Sequence, residues 1–208
     1  MTGWQELSLG LFRRVRRELI KSVDGLEVAA LDWRPSPGSN SIEWLAWHVA
    51  RGQDRNLSEL MGDPKRWLSD GWADLFGRPA DPSDTGLGHS AEQAAALRSP
   101  GSKGLLAYHG SVHELAERYL AAAPGDDLGR IVASPTLGNV HTVEERLQGL
   151  ITDSFAHLGQ IAMLRGLMPD SLAGGRPRPF RAQPPSPSAD RTIASSRPAA
   201  RGTGRPAT

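Results

Sequence analysis

Four stretches of this chain, each about twenty residues long, repeat apolar positions every three or four residues, the period of one face of an α-helix. Over residues 4–23 the stripe is Trp4, Leu7, Leu11, Val15 and Leu19. Over 41–61 it includes Leu45, Val49, Leu57 and Leu60, with Asn40 the expected N-cap and Glu43 placed to close a capping box. Over 103–122 it is Leu105, Leu106, Val112, Leu115, Tyr119 and Leu120. Over 143–167 it is Leu147, Leu150, Ile151, Ile161 and Leu164, opened by a second capping box from Thr142 to Glu145. Ser90 predicts the cap of a short helix over 91–98. No stretch sustains the alternation of a half-buried strand; residues 130–137 could form a short extended piece, interrupted at Pro135. Four amphipathic helices of this length predict an all-α, antiparallel four-helix bundle. The long connection 62–102 is rich in Gly, Pro and Asp yet carries Trp67, Trp72 and Phe76, so it is expected to pack over one end of the bundle.

Composition divides the chain. Lys+Arg is 24 and Asp+Glu 23, a net charge of +1. That near-neutrality hides a balance of −4 over residues 1–168 and +5 over 169–208. The latter segment holds half of the 16 prolines and few large apolar residues, so it is predicted to be a disordered Arg/Pro-rich tail beyond a domain spanning 1–168. Its arginines lack interleaved aromatics other than Phe180, which argues against a dedicated nucleic-acid partner. No run of about 18 apolar residues predicts a membrane span, and the N-terminal residues show no secretory pattern, so a cytoplasmic protein is expected. There is no cysteine. Disulfides, zinc–thiolate sites and cysteine nucleophiles are thereby excluded, and any metal must be held by His, Asp or Glu.

Such residues are present. Asp153 and His157 are four apart on the last helix and share its face with Leu150, Gln160, Ile161 and Leu164. A buried unpaired carboxylate costs several kcal/mol (about 1–3 or more as an orphaned group), so it needs compensation. A divalent cation supplies it directly. His48 lies beside the apolar face of the second helix, and bundles gather ligands from facing helices. His48, Asp153 and His157 would give two imidazoles and one carboxylate, with positions left for water or substrate. The alternative is a plain Asp–His hydrogen bond with His48 unrelated. His109 and His113, also four apart, compete as a metal pair, but they sit at the edge of their helix's stripe and read as rim or surface groups. His89 and His141 fall in loops and read as solvated. No nucleophile-elbow, phosphate-loop or dinucleotide fingerprint occurs.

The segments WRPSPGSNSIEWLAWHVARGQDRNLSELMG (33–62), GWADLFGRPADPSDTGLGHS (71–90) and DSFAHLGQIAMLRGL (153–167) carry a W-H-x-A-R-x-Q-D core and a D-x-x-x-H-x-G-Q core. Together they resemble the DinB-like superfamily, and more closely its mycothiol-dependent S-transferase and maleylpyruvate isomerase-like branch. The resemblance spans about 1–168. It implies an up-down-down-up four-helix bundle holding a divalent metal, zinc or nickel, on one histidine of the second helix and a pair four apart on the last. Those positions are His48, Asp153 and His157; many relatives have His or Glu where this chain has Asp153.

It further implies a low-molecular-weight thiol, mycothiol or similar, as cosubstrate. A thiol has a pKa near about 8.5 and reacts as its thiolate, which a metal generates at neutral pH. The expected reaction is attack of that thiolate on a small electrophile, a detoxification-type transfer. Gln160 is expected to hydrogen-bond a ligand, Arg51 to meet an anionic group of thiol or substrate, and Asp54 with the loop 71–89 to shape the pocket mouth. The alternatives are metal-dependent hydrolysis with hydroxide in place of thiolate and a non-catalytic metal-binding stress-response protein. A homodimer is a further expectation.

Overall fold

The computed structural model describes residues 3–173. Its frame is four long helices: α1 (Gly3–Val23), α3 (Ile42–Met61), α7 (Gly101–Ala122) and α8 (Val143–Leu167). Five short ones accompany them: α2 (Val28–Asp32), α4 (Arg66–Ser69), α5 (Trp72–Leu75), α6 (Ala91–Ala95) and α9 (Asp170–Ala173). Strands β1 (Ile131–Ala133) and β2 (Val140–Thr142) form an antiparallel hairpin pairing Val132 with His141, and Pro135 sits in its turn, where a missing N–H costs nothing.

The order around the bundle is α1, α7, α3, α8, with α1 and α3 on one diagonal. Cross-helix contacts give the directions. The start of α1 meets the chain just after α7 through Trp4 and Gly125, while Lys21 and Ser22 at its end meet Arg165 at the end of α8. Glu43 at the start of α3 bonds Ser99 just before α7, and Gln53 crosses to Ser154 of α8. The bundle therefore runs up-down-down-up, with α3 and α7 parallel.

That topology corrects the expected role of the 62–102 segment. Parallel neighbours require the chain to travel back the full length of α3, about 30 Å for twenty residues. The segment lies along the flank of α3 and α7 rather than over an end. Trp67 and Phe76 are buried there, and their rings pack on Tyr108 of α7 at centroid distances of 5.5 and 5.9 Å.

Smaller expectations change too. Leu7 is exposed, and the buried face of α1 is Leu9, Phe12, Val15 and Leu19, rotated from the predicted stripe because Phe12 supplies the larger apolar body. The N-cap of α3 is Ser41, whose hydroxyl accepts from the Trp44 amide; Asn40 does not cap it. Glu43 does not close a box but reaches across to the amide and hydroxyl of Ser99, and burial raises its pKa. The boxes at Thr142 and Ser90 both form. Helix α9 lies past the expected domain boundary at 168, with Leu172 packed on the core, so ordered chain continues at least to Ala173. The rest of the predicted tail lies outside the described residues.

Candidate metal centre

His48 and the Asp153–His157 pair face each other because α3 and α8 are antiparallel neighbours. His157 Nε2 is 3.2 Å from one Asp153 carboxylate oxygen, and His48 Nε2 is 3.8 Å from the other. The two imidazole rings stand perpendicular with centroids 4.7 Å apart. One donor atom from each of the three lies within 4.8 Å of the others, so they could hold a single cation. The three are unequally covered: the His48 and His157 side chains are 12% and 15% exposed, Asp153 47%. The predicted buried carboxylate is thus a half-exposed one at the rim. It needs no cation to excuse its burial.

The remaining ring nitrogens decide what the site can do. His48 donates from Nδ1 to the Thr85 carbonyl, and His157 donates from Nδ1 to Gln160 Oε1 at 2.9 Å. With Nδ1 engaged, Nε2 is the nitrogen each ring turns toward Asp153, and in His157 it bonds the carboxylate at 3.2 Å. Trp44, one turn before His48, stacks on its ring at 4.8 Å and 7°. Gly86 lets the loop approach this closely. Its φ is +88°, and a Cβ there would lie 2.8 Å from Trp44 and 3.0 Å from His48 Nδ1. Burial lowers the His48 pKa, against the Thr85 bond. The Asp153 bond raises that of His157. Burial pushes the Asp153 carboxyl up, but His157 and His48 outweigh it and hold it below its usual value.

Beside the three residues opens a cleft of about 660 Å³, walled by α3, α8, the loop at Thr85 and Leu87, and the β1–β2 turn. Cavities of this size accept small molecules.

Arg51 and Asp54 are placed otherwise than expected. Both are wholly buried. The Arg51 guanidinium donates to the carbonyls of Asp84 (2.8 Å), Asp81 (3.2 Å) and Pro82 (3.3 Å), and lies over the Trp67 ring. Asp54 accepts from the amides of Arg66 and Trp67, both at 2.8 Å, and from the Tyr108 hydroxyl at 2.9 Å. Arg51 therefore does not meet a substrate anion, and Asp54 does not line the mouth; both fasten the returning segment to α3 and α7. The other half of the 71–89 expectation survives in Thr85 and Leu87.

Three more histidines move. His109 is buried against α1, while His113, also largely buried, lines a small surface pocket with Arg13, Arg16, Arg17 and Ile20; among the described residues no third donor joins them in metal-holding reach. His89 is not solvated: it accepts from the Trp44 indole, donates to Asp84 at 2.9 Å, and stacks on Trp47. Nothing in its own loop, GLGHS, distinguishes it. Thr85 and Gly86 fall within the loop 71–89 expected at the mouth, but nothing in their spacing points to His48; of the residues packed on its ring only Trp44, one turn away, carries such a signal.

The DinB superfamily profile matches residues 11–161. The chain belongs to the DinB superfamily. A solved structure, that of a conserved protein from Enterococcus faecalis, is similar to it at 26% identity and a TM-score of 0.71, covering 80% of this chain and 98% of that one. No curated protein matches. Within this DinB-superfamily bundle the histidine of α3 and the acid–histidine pair of α8 are the group that could bind a metal, and the donor set suits a borderline divalent ion. Among the described residues no helix is long and apolar enough to cross a membrane.

Proposed function

We propose that this protein is a metal-dependent S-transferase: His48, Asp153 and His157 hold one divalent cation, zinc or nickel, and the cleft beside them takes a low-molecular-weight thiol of the mycothiol type together with a small electrophile. The observation that carries the reading is the convergence of two imidazole Nε2 atoms and one carboxylate at the edge of an open cleft, with both Nδ1 atoms already engaged. Three protein donors leave positions free for an exogenous group. A bound divalent cation supplies Lewis acidity, which makes a thiol a far stronger acid than its free pKa of about 8.5 allows. Supporting the thiol is the resemblance of the W-H-x-A-R-x-Q-D and D-x-x-x-H-x-G-Q cores to the mycothiol-dependent branch.

The chain's own groups do the rest. Thr85 and Gln160 fix the two ring orientations, and the Trp44 face holds His48 against rotation. Asp153, ionised and half-exposed, offsets cationic charge at the cleft wall.

The test is elemental analysis beside a conjugation assay with a thiol and a chromogenic electrophile. The wild-type chain is expected to carry one divalent ion and His157→Ala almost none, with thiol conjugation falling to background. Full metal content in the variant sinks the ligand set. Turnover of an ester without thiol, at an intact metal site, assigns the site to hydrolysis instead.

A further inference from the structure

One cation in the cleft wall has too few partners. Arg55 lies two turns after His48 on α3 and lines the cleft together with His48, Thr85 and Asp153. It is only 9% exposed. Its Nη1 reaches the Thr85 hydroxyl at a long 3.4 Å, and its Nε is buried with no partner among the described residues. No carboxylate among those residues lies within 4.0 Å of its guanidinium. Glu59, one turn further on, is taken by Arg146 at 3.0 Å, Lys65 at 3.4 Å and the Thr136 hydroxyl at 2.7 Å. Arg51 on the same helix shows the contrast, with carbonyls, a carboxylate and an aromatic face around it. Removing a guanidinium from water without an anion is costly, and its planar fork matches a carboxylate.

We propose that Arg55 anchors a carboxylate of the molecule that occupies this cleft. The inference rests on the S-transferase reading and narrows it: the thiol or the electrophile is an organic acid whose carboxylate lies beside the His48–Asp153–His157 group.

The first arm needs no turnover. Full-length protein, as purified and after chelation, is titrated with benzoate and with its neutral isostere benzamide by calorimetry, with circular dichroism to verify folding. Benzoate binds at least tenfold more tightly than benzamide to wild type. Arg55→Gln abolishes that preference, and Arg55→Lys, which keeps the charge but not the fork, retains part of it. Equal affinity for the two probes in wild type overturns the proposal whether or not the variants fold. So does unchanged benzoate binding in Arg55→Gln, and loss of benzoate on chelation alone would place the anion on the metal. The second arm locates the acid. Arg55→Gln raises KM for a carboxylated electrophile over its methyl ester if the electrophile carries it, or for 3-mercaptopropionate over 2-mercaptoethanol if the thiol does. An assay with no turnover at all removes the S-transferase reading and leaves the binding result standing.

Discussion

Helix α3 serves two polar regions that differ in kind. On its α8 side, His48 meets Asp153 and His157 at the edge of an open cleft, with one carboxylate half in water. On its α7 side, Arg51 and Asp54, about one and two turns further on, are sealed under the returning segment with Tyr108. Each region pairs an aspartate with a cationic or imidazole partner. In the closed region every Asp54 oxygen is consumed by protein donors, so the group can hold chain together but take nothing up. In the open region the histidines are anchored from behind and their Nε2 atoms stay available. A polar residue on a bundle helix is thus a fastener or a ligand according to what closes over it, and its residue type decides neither.

Four substitutions or conditions test that division. The largest effect is expected in the closed region. Asp54→Ala leaves the Arg66 and Trp67 amides and the Tyr108 hydroxyl without their acceptor and the buried Arg51 without its carboxylate, and the cost of breaking a buried pair is about 3–5 kcal/mol. Urea denaturation should read that loss, while the remaining folded protein keeps the metal content of wild type. Metal loss at unchanged stability would show the two regions to be misassigned.

Next comes acid. His109 is fully buried among α1 and α7 side chains, and burial, then His113 and Arg16, push its pKa down to about 3. The unfolded chain binds this proton near the ordinary value of about 6.5, so below that pH protons favour the unfolded state. Its effect is absent at pH 7, grows as pH falls from about 6.5 to 3, and reaches on the order of 4 kcal/mol at the lower end. Chemical denaturation of His109→Phe across that range should show a shallower decline; parallel curves would mean the imidazole is solvated after all.

Gly86→Ala touches both regions, because the same loop carries the Thr85 carbonyl and packs on Trp44 and Trp47. Positive φ and the 2.8 Å clash together predict about 1–3 kcal/mol of destabilisation. Metal affinity should fall with it as the Thr85 carbonyl is displaced. A melting temperature equal to wild type would show that the loop yields freely.

The smallest stability effect belongs to the open region. Gln160→Ala removes the partner of His157 at an exposed position, so stability should stay within about 0.5 kcal/mol. Competition with a chromogenic chelator should nonetheless show metal binding weakened about 10–100-fold. If stability moves and metal affinity does not, Gln160 is merely structural.

The four long helices were legible because amphipathic period and capping chemistry act locally: Thr142 with Glu145 marks the start of α8 in any context. The pairing of Asp153 with His157 was equally legible, since four residues on a helix fix a shared face. Local rules failed where a distant element intervened. His109 and His113 form the better isolated metal pair by spacing, yet α1 packs against them and among the described residues no third donor arrives. Glu43 looked like half of a capping box, but Ser99, 56 residues away, claims it.

The sequence by itself determined the four long helices, the caps at Ser90 and Thr142, the lack of any cysteine thiolate in the chain and the face on which Asp153 and His157 lie, since each depends on neighbours a turn apart or on composition. Pattern and spacing did not decide that α3 runs antiparallel to α8 and parallel to α7; the resemblance to the DinB-like superfamily implied it, and only the tertiary structure shows it. From those two directions follow the meeting of His48 with its partners, the long return of residues 62–102, the Thr85 carbonyl behind His48, and the enclosure of Arg51 and Asp54. Hydrogen bonds and charge pairs between segments far apart in the chain depend on which surfaces the packing brings within a few ångströms, and no local pattern encodes that distance.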